Sequence, residues 1–409
     1  MYLMRNLKNH INRLSRDTFS LHYNLDHGIV GTLELSNGQE DKLKGHERLE
    51  FNTPGEELLY EIYDFTVLQN KKAAREKFLY FNDEFDIDNV LSDPSINLLY
   101  LVVKLKYFIL NNDRKLYEPI YNQIRSLPTS INPSVEYIHF KTLGIYYYRK
   151  NNFLQSTLAL DNALSLAEKL PYISEDDRAE LYYQVSLTKL KTCDTFESIF
   201  FAEKALSLYQ SLYNNKRSAE CHIILGINYN HSKRQDFAEK HYLSAKNIGE
   251  SIGDSYLESM ALHNLGCIKS YLKQSEEAIF YYLESLKRKR EEERSVFSIL
   301  GLVEEYYFLD QTEFSREWAE QGLRLAKQID LTEYIIHFTA HIYLLDKDSE
   351  LEPYIIQEVI PYFKNAGNER YTIKYTEMLA KYYFESQQYK LASEFFDSCL
   401  QNIKSKTSY

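Results

Sequence analysis

Glycine and proline are scarce in this chain, with 13 and 8 examples among 409 residues. An all-β protein needs many tight turns, and such turns draw on these two residue types, so the low counts argue against that fold class. Tryptophan is represented only by Trp318, whereas the chain has 36 tyrosines and 22 phenylalanines. These aromatic rings suit wide contacts between helices, and we expect a helical protein.

Cysteines are few and scattered, at Cys193, Cys221, Cys267 and Cys399. No pair has CxxC spacing, and none has a histidine partner at metal-ligand spacing. We therefore expect reduced thiols packed among helices, and neither a metal ion nor a cofactor.

Long apolar runs are also missing. No stretch approaches the roughly 18 residues that a membrane span needs, and residues 1–16 are basic without the apolar core of a secretory signal. These features predict a soluble cytoplasmic protein without a membrane partner.

Catalytic signatures are absent as well. The chain has no P-loop, no dinucleotide-binding glycine motif, no HExxH and no GxSxG. We expect no enzyme activity.

The net charge of −11 means that the bulk of the chain does not attract nucleic acid by its field. The basic run Lys287–Arg290 fits a nucleic-acid patch, but pairing with the following glutamates on an exposed helix end explains it equally well.

The clearest positive pattern lies in Ala261–Leu286. Gly266 is followed, one helix later, by the regularly spaced residues Ala278, Tyr282 and Ser285. A small residue on a first helix lets a second helix approach closely, and the small–aromatic–small series gives that second helix one buried stripe. This spacing is typical of a tetratricopeptide hairpin, which needs neighbours like itself to bury its stripes.

Five further positions begin the same pattern, each followed by serine or alanine at the spacing that separates Ala278 from Gly266. They are Gly144, Ser186, Gly226, Val303 and Ala380. From 144 to 303 these packing positions recur about every 40 residues, whereas the usual repeat is about 34 residues long. The sequence therefore predicts an all-α fold, a right-handed superhelix of about eight tetratricopeptide hairpins with long helices or turns.

The repeats begin at residue 53, where Thr53-Pro54-Gly55-Glu56 forms a capping box with proline at the first helical position. We divide the chain into a short N-terminal segment, residues 1–52, and a repeat domain, residues 53–409. Similar capping residues predict the starts of later helices. These residues are Asp93, Asn132, Ser174 and Asp330.

Asparagines on two first helices suggest what the repeats bind. Asn228 and Asn264 each lie two positions from a packing glycine, and an asparagine side chain can pair with both the C=O and the N–H of an extended peptide. The alternative is that they only bridge helices. Neighbouring side chains would read the peptide sequence, although those nearest a turn can be purely structural. They are Tyr183, Asn230, His231, His263 and Tyr271.

Two acids, Glu304 and Glu305, lie where the inner face of the predicted superhelix would run. They can form a solvated helix edge, or Glu304 can await a basic group of the ligand. A generic scaffold that clamps the carboxylate of a protein tail would need groove lysines instead, and Lys141 and Lys191 are the candidates.

Several motifs resemble those of a known family when taken in chain order. They are residues 179–184 (AELYYQ), 206–209 (LSLY), 226–229 (GINY), 264–267 (NLGC) and 380–383 (AKYY). Over about residues 55–400 the chain resembles the Rap, NprR and PlcR (RRNPP) group of Gram-positive quorum-sensing regulators, with a repeat domain most similar to the NprR side. The resemblance implies a cytoplasmic receptor, a homodimer, that binds a re-imported signalling peptide and regulates transcription or sporulation.

The same resemblance places the family's backbone-gripping asparagines on Asn228 and Asn264. Transcription factors of the group begin with a helix-turn-helix of about sixty residues, longer than segment 1–52, in which residues 23–43 resemble a remnant of its C-terminal half. Rap members instead carry a three-helix bundle that engages a response regulator, and this bundle is not recognisable here. DNA therefore stays open as a partner, as do a Rap-like role at a response regulator, as phosphatase or inhibitor, and a generic scaffold.

Overall fold

The computed structural model describes residue 51 and residues 53–85, 92–128, 132–288 and 292–404. Within these ranges every regular element is a helix. None of the described helices combines the length and the hydropathy that a transmembrane span requires. The interpretation of segment 1–52 as a helix-turn-helix remnant lies outside the described residues, as do Lys289 and Arg290 of the basic run.

Two compact units make up the chain, and each is described by itself. The first, Leu25–Arg234, pairs consecutive helices as hairpins α1/α2, α3/α4, α5/α6 and α7/α8, with α9 against α8. The helices are α1 Pro54–Val67, α2 Lys71–Glu84, α3 Pro94–Asn111, α4 Tyr117–Arg125, α5 Pro133–Arg149, α6 Phe153–Ala167, α7 Glu175–Lys191, α8 Thr195–Ser211 and α9 Asn215–His231.

The second unit contains Gln235–Tyr409. Helix α10 packs on α11, and the hairpins are α11/α12, α13/α14, α15 with α16–α17, and α18/α19. A π-helical stretch, Ile355–Val359, connects α16 directly to α17. The helices are α10 Gln235–Ser251, α11 Ser255–Tyr271, α12 Ser275–Arg288, α13 Glu292–Phe308, α14 Thr312–Gln328, α15 Thr332–Asp346, α16 Leu351–Tyr354, α17 Ile360–Asn365, α18 Glu369–Glu385 and α19 Tyr389–Lys404. The described residues thus contain eight hairpins within units, and the predicted all-α tetratricopeptide fold is confirmed.

Helix starts follow the capping residues read from the sequence. The hydroxyl of Thr53 accepts a hydrogen bond from the backbone N–H of Glu56 at 3.1 Å, and the side chains of Asp93, Asn132 and Ser174 cap α3, α5 and α7.

The prediction that Asp330 caps a helix was wrong. This residue adopts a positive φ of 55° in the turn, and α15 begins after Leu331 without a side-chain cap.

The serines of the hairpin pattern make one repeated hydrogen bond. The hydroxyl of Ser156 donates to the carbonyl of Gly144, and that of Ser198 donates to the carbonyl of Ser186, both at 2.8 Å. Ser315 makes the same bond to Val303 at 2.8 Å in the second unit. These serines therefore tie the second helices α6, α8 and α14 to the first helices of their own hairpins.

The packing glycines allow aromatic and aliphatic side chains to lie against bare backbone. A Cβ added at Gly266 would lie 2.6 Å from the ring of Tyr282, and one at Gly144 would lie 2.5 Å from Leu160. Both partners follow their glycine at the same spacing, as the sequence pattern predicts. A Cβ added at Gly301 on α13 would also lie 2.6 Å from the ring of Tyr282, so this tyrosine fills the gap between two successive hairpins.

Each unit has an apolar core. Three of the four cysteines are buried. Cys221, Cys267 and Cys399 are buried free thiols, whereas Cys193 is an exposed free thiol. The described residues contain no group of three or more potential metal ligands.

Candidate functional site

Buried lysines and glutamates are confined to one kind of helix. All of those among the described residues lie on the first helix of a repeat, that is α1, α3, α5, α7, α9, α11, α13 or α18. Buried charges are costly unless they are paired. The faces on which first helices meet therefore carry these charges among apolar contacts, and we call them the polar faces of the first helices.

In the first unit these charges form a cluster, defined here as Lys106, Lys141, Asp177 and Glu180. The ammonium of Lys106 lies 2.5 Å from Glu180 Oε2, and that of Lys141 lies 2.6 Å from the same oxygen. Lys141 also pairs with Asp177, which accepts a hydrogen bond from the hydroxyl of Tyr63 at 2.8 Å. The cluster thus joins the first helices α3, α5 and α7, and its partner Tyr63 connects it to α1.

The cluster is electrically balanced, with two lysines facing two carboxylates. Burial alone would raise the pKa of Glu180, but the charges and hydrogen bonds of Lys106 and Lys141 more than offset it and hold the pKa at about 2. Burial lowers the pKa of Lys106 to about 8 against the opposing pull of Glu180. Lys141 is fully engaged in this cluster, so it is not available as a clamp for a ligand carboxylate.

Asn228 lies on α9 and is 0 % exposed. Its Nδ2 donates to the hydroxyl of Ser198 on α8 at 2.8 Å and to the carbonyl of Ile224 at 3.0 Å. Its Oδ1 is buried without a hydrogen-bond partner among the described residues. The helix-bridging interpretation accounts for the amide nitrogen, but it leaves the oxygen unsatisfied.

The other candidates of the first unit differ in their access to solvent. Tyr183 is 1 % exposed and lies under the guanidinium of Arg217, whose carbon is 4.6 Å from the ring centroid. Asn230 is buried, whereas His231, at the end of α9, is exposed. Tyr183 therefore belongs to the core between α7 and α9 in this conformation.

Asn264 lies on α11 in the second unit and is 4 % exposed. Its carboxamide makes no hydrogen bond within the described part of the chain. Unlike Oδ1 of Asn228, its polar atoms are not among those buried without a partner, so solvent still reaches them. The neighbouring His263 packs towards α13, with Nδ1 3.0 Å from the hydroxyl of Ser298 and its ring against Tyr282. Tyr271 is half-buried at the end of the same helix.

Glu304 on α13 is neither a solvated helix edge nor an acid without a counter-charge. It is buried, and its Oε1 lies 2.5 Å from the ammonium of Lys374 on α18 and 3.9 Å from Nε2 of His341 on α15. Burial lowers the pKa of Lys374, with Glu304 opposing the shift. Its neighbour Glu305 is also buried and accepts a hydrogen bond from Ser270 on α11.

Sequence reasoning missed the partners of Glu304. Lys374 lies six positions before the packing residue Ala380, and Glu304 lies one position after the packing residue Val303. Glu180 likewise lies six before its packing residue, and Lys141 lies three before its own. These offsets share one helical face, and this periodicity could have identified the buried charges. It could not have shown which of them pair.

A search of family models matches residues 218–291 to a tetratricopeptide repeat. Among curated proteins, the chain is 30% identical over 350 residues to the transcriptional activator NprA of Geobacillus stearothermophilus, a match that covers 83% of this chain and 86% of that protein.

Solved structures of related regulators share the fold of this chain. The apo form of the quorum sensor NprR from B. thuringiensis superimposes with a TM-score of 0.71 at 20% identity, covering 85% of this chain and 98% of that one. A Rap protein complexed with competence and sporulation factor gives a TM-score of 0.70 at 19% identity, covering 86% and 99%. The shared repeat fold and the identity to NprA show that this chain belongs to the RRNPP family of tetratricopeptide-repeat quorum-sensing regulators.

Proposed function

We propose that this protein is a receptor for a short oligopeptide signal, which it holds on the polar faces of its first helices. The peptide changes which macromolecule the protein binds. Family membership supports a regulatory role, and a Rap protein of the same fold has been solved in complex with competence and sporulation factor. The proposal assigns no catalytic step to the chain.

The observation that carries the proposal is the state of Asn264. Its carboxamide is nearly buried, yet it makes no hydrogen bond within the described residues. A carboxamide without an internal hydrogen bond stays available to a ligand, and each hydrogen bond that it forms contributes about 0.5–1.5 kcal/mol. One peptide unit supplies both a donor and an acceptor, so an extended peptide backbone matches the donors and acceptor of this carboxamide.

Transcription is the output that we propose first. The relative at 30% identity is named a transcriptional activator. The runner-up is a Rap-like role, in which the protein binds a response regulator and inhibits it or promotes its dephosphorylation. The third candidate, a scaffold for protein tails, is weakened because Lys141 is already paired with Asp177 and Glu180.

The binding test uses a synthetic heptapeptide library. Peptides that the wild-type protein retains are identified by mass spectrometry and titrated individually by calorimetry. We expect Asn264→Ala to weaken their affinity about tenfold, which corresponds to ~1.4 kcal/mol, since the carboxamide would lose its contacts with the peptide backbone. Asn247→Ala is the matched control, because Asn247 is exposed on the second helix α10.

Equal affinity of wild type and Asn264→Ala for every retained peptide would remove Asn264 from the proposal. Retention of no peptide by the wild type would contradict the receptor function itself. To separate the two outputs, a receiver domain phosphorylated with acetyl phosphate is mixed with the protein. Neither binding nor accelerated phosphate release is expected for the transcriptional output, and either result would favour the Rap-like role.

A further inference from the structure

A partly open pocket lies among the first helices of three successive hairpins in the second unit. It is formed by α13, α15 and α18, and its volume is about 30 Å³. Tyr307, Leu344 and Met378 supply an apolar floor. The charged residues around this floor are Glu304, Lys374, Glu377 and Lys381. We call this site the Leu344 pocket.

The charges around the Leu344 pocket cancel in pairs. Glu304 lies 2.5 Å from the ammonium of Lys374, and Glu377 lies 3.0 Å from that of Lys381. A charged ligand group would enter without a counter-charge, because the charges of the pocket already neutralise one another, and burying an uncompensated charge is costly. The pocket therefore disfavours a basic or acidic ligand side chain, even though Glu304 alone suggests a basic one.

The burial of Glu377 is a second reason why the pocket disfavours a charged ligand group. It raises the pKa of Glu377, with Lys381 opposing the shift, as expected for a carboxylate shielded from water. The floor has no charged atoms of its own, and Leu344 and Met378 are both buried members of one hydrophobic cluster. A ligand group that enters here exchanges water for apolar contacts.

The size of the pocket limits what can enter. A volume of about 30 Å³ corresponds to roughly two water molecules. The branched end of an aliphatic side chain fits such a space, whereas an aromatic ring needs more room.

We propose that the Leu344 pocket is a specificity pocket that takes one aliphatic side chain, such as valine, isoleucine or leucine, from the bound peptide. This inference rests on the proposed peptide-receptor function and names the side-chain class that the receptor selects. Removing the aliphatic group from the peptide should weaken binding roughly 10- to 200-fold, the range seen when hydrophobic pockets discriminate by small apolar groups.

The test uses one variant that enlarges the pocket and one that fills it, and it measures which peptide residues each variant prefers. The probe is a positional-scanning set of synthetic heptapeptide sublibraries, each with one residue fixed at one position. Wild-type protein should prefer aliphatic residues at one position. Leu344→Ala, which enlarges the pocket, should shift that preference towards phenylalanine by roughly tenfold or more, and Leu344→Phe should shift it towards alanine or glycine. Met378→Ala enlarges the same pocket from α18 and replaces Leu344→Ala if that variant does not fold.

The control is Leu283→Ala on α12, a half-buried leucine outside the pocket, which should leave the preference unchanged. Thermal unfolding followed by circular dichroism establishes that each variant is folded. An unchanged preference in both the enlarged and the filled variants would overturn the inference, while Asn264-dependent binding by the wild type would leave the receptor function standing. Failure of the wild type to bind any sublibrary would contradict the receptor function and the pocket assignment together.

Discussion

Two asparagines that look alike in the sequence have different surroundings in the fold. Asn228 uses its Nδ2 to join α9 to α8 through Ser198, whereas the carboxamide of Asn264 makes no hydrogen bond among the described residues. The residue type and its distance from a packing glycine are visible in the sequence. Whether the amide is already bonded depends on a serine in the preceding hairpin, which no local pattern reveals.

This contrast predicts unequal effects of alanine substitution on stability. Asn228→Ala should lower the free energy of unfolding by about 1–3 kcal/mol, because two buried hydrogen bonds are lost. Asn264→Ala should change it by no more than about 0.5 kcal/mol, since no internal hydrogen bond is removed. Urea denaturation followed by circular dichroism measures both values. A larger loss for Asn264→Ala than for Asn228→Ala would show that the two roles are assigned the wrong way round.

At the scale of the element, the hairpin depends on close contacts that the spacing of residues in the sequence predicts. The regular spacing of small and large residues corresponds to the Ser156–Gly144 hydrogen bond and to the Gly144–Leu160 contact. Turn geometry was less predictable. Asp330 is a residue type that often caps helices, but it occupies a left-handed turn position, because the preceding helix ends there and must reverse direction.

Tyr282 offers a direct test of hairpin packing. Gly266→Ala should destabilise the protein by about 1–3 kcal/mol, because the new methyl group would overlap the ring of Tyr282. The double variant Gly266→Ala/Tyr282→Leu should lose less stability than the sum of the two single variants, since the smaller side chain relieves the overlap. Chemical denaturation of the four proteins gives the coupling energy.

Gly253→Ala is the matched control for this cycle. Gly253 has a φ of +69° and no neighbouring atom within 4 Å of an added Cβ. Its substitution should cost roughly 1 kcal/mol through backbone strain, and Tyr282→Leu should not relieve it. Strictly additive effects in the Gly266–Tyr282 cycle would contradict the packing account.

At the scale of the whole molecule, the sequence pattern predicted the repeat fold, but it did not predict which charged residues pair in the folded chain. The pattern of small and aromatic residues lies within one hairpin and recurs along the chain, so it can be recognised in the sequence alone. The cluster around Glu180 and its partner Tyr63 join four first helices, and Tyr63 and Asp177 are separated by 114 positions. The partners of Glu304 depend in the same way on which hairpins stack, and this is decided only by the fold.

The cluster makes stability depend on pH in a defined direction. The folded-state pKa of Glu180, about 2, lies below the ordinary value of 4.5 for a glutamate. Its contribution is therefore fully present above pH 4.5 and is lost as the pH falls towards 2. Relative to Glu180→Gln, the wild type should lose about 3 kcal/mol of its stability advantage between pH 5 and pH 2. Denaturant unfolding of both proteins across this range provides the measurement.

Glu180→Gln itself should cost about 3–5 kcal/mol near neutral pH, because it leaves Lys106 and Lys141 with too few counter-charges. Glu250→Gln removes an exposed pair with Lys246 and should change stability, at any pH in this range, by no more than about 1 kcal/mol. A stability difference between wild type and Glu180→Gln that is constant from pH 5 to pH 2 would show that the cluster does not couple folding to pH.

The central claim is that an extended peptide lies along the polar faces of the first helices. A crystal structure of the protein with a heptapeptide selected from the library tests it most directly. The account predicts a peptide backbone within hydrogen-bonding distance of the Asn264 carboxamide and an aliphatic side chain in the Leu344 pocket. A peptide bound to the second helices, with the Asn264 carboxamide still without a partner, would contradict it.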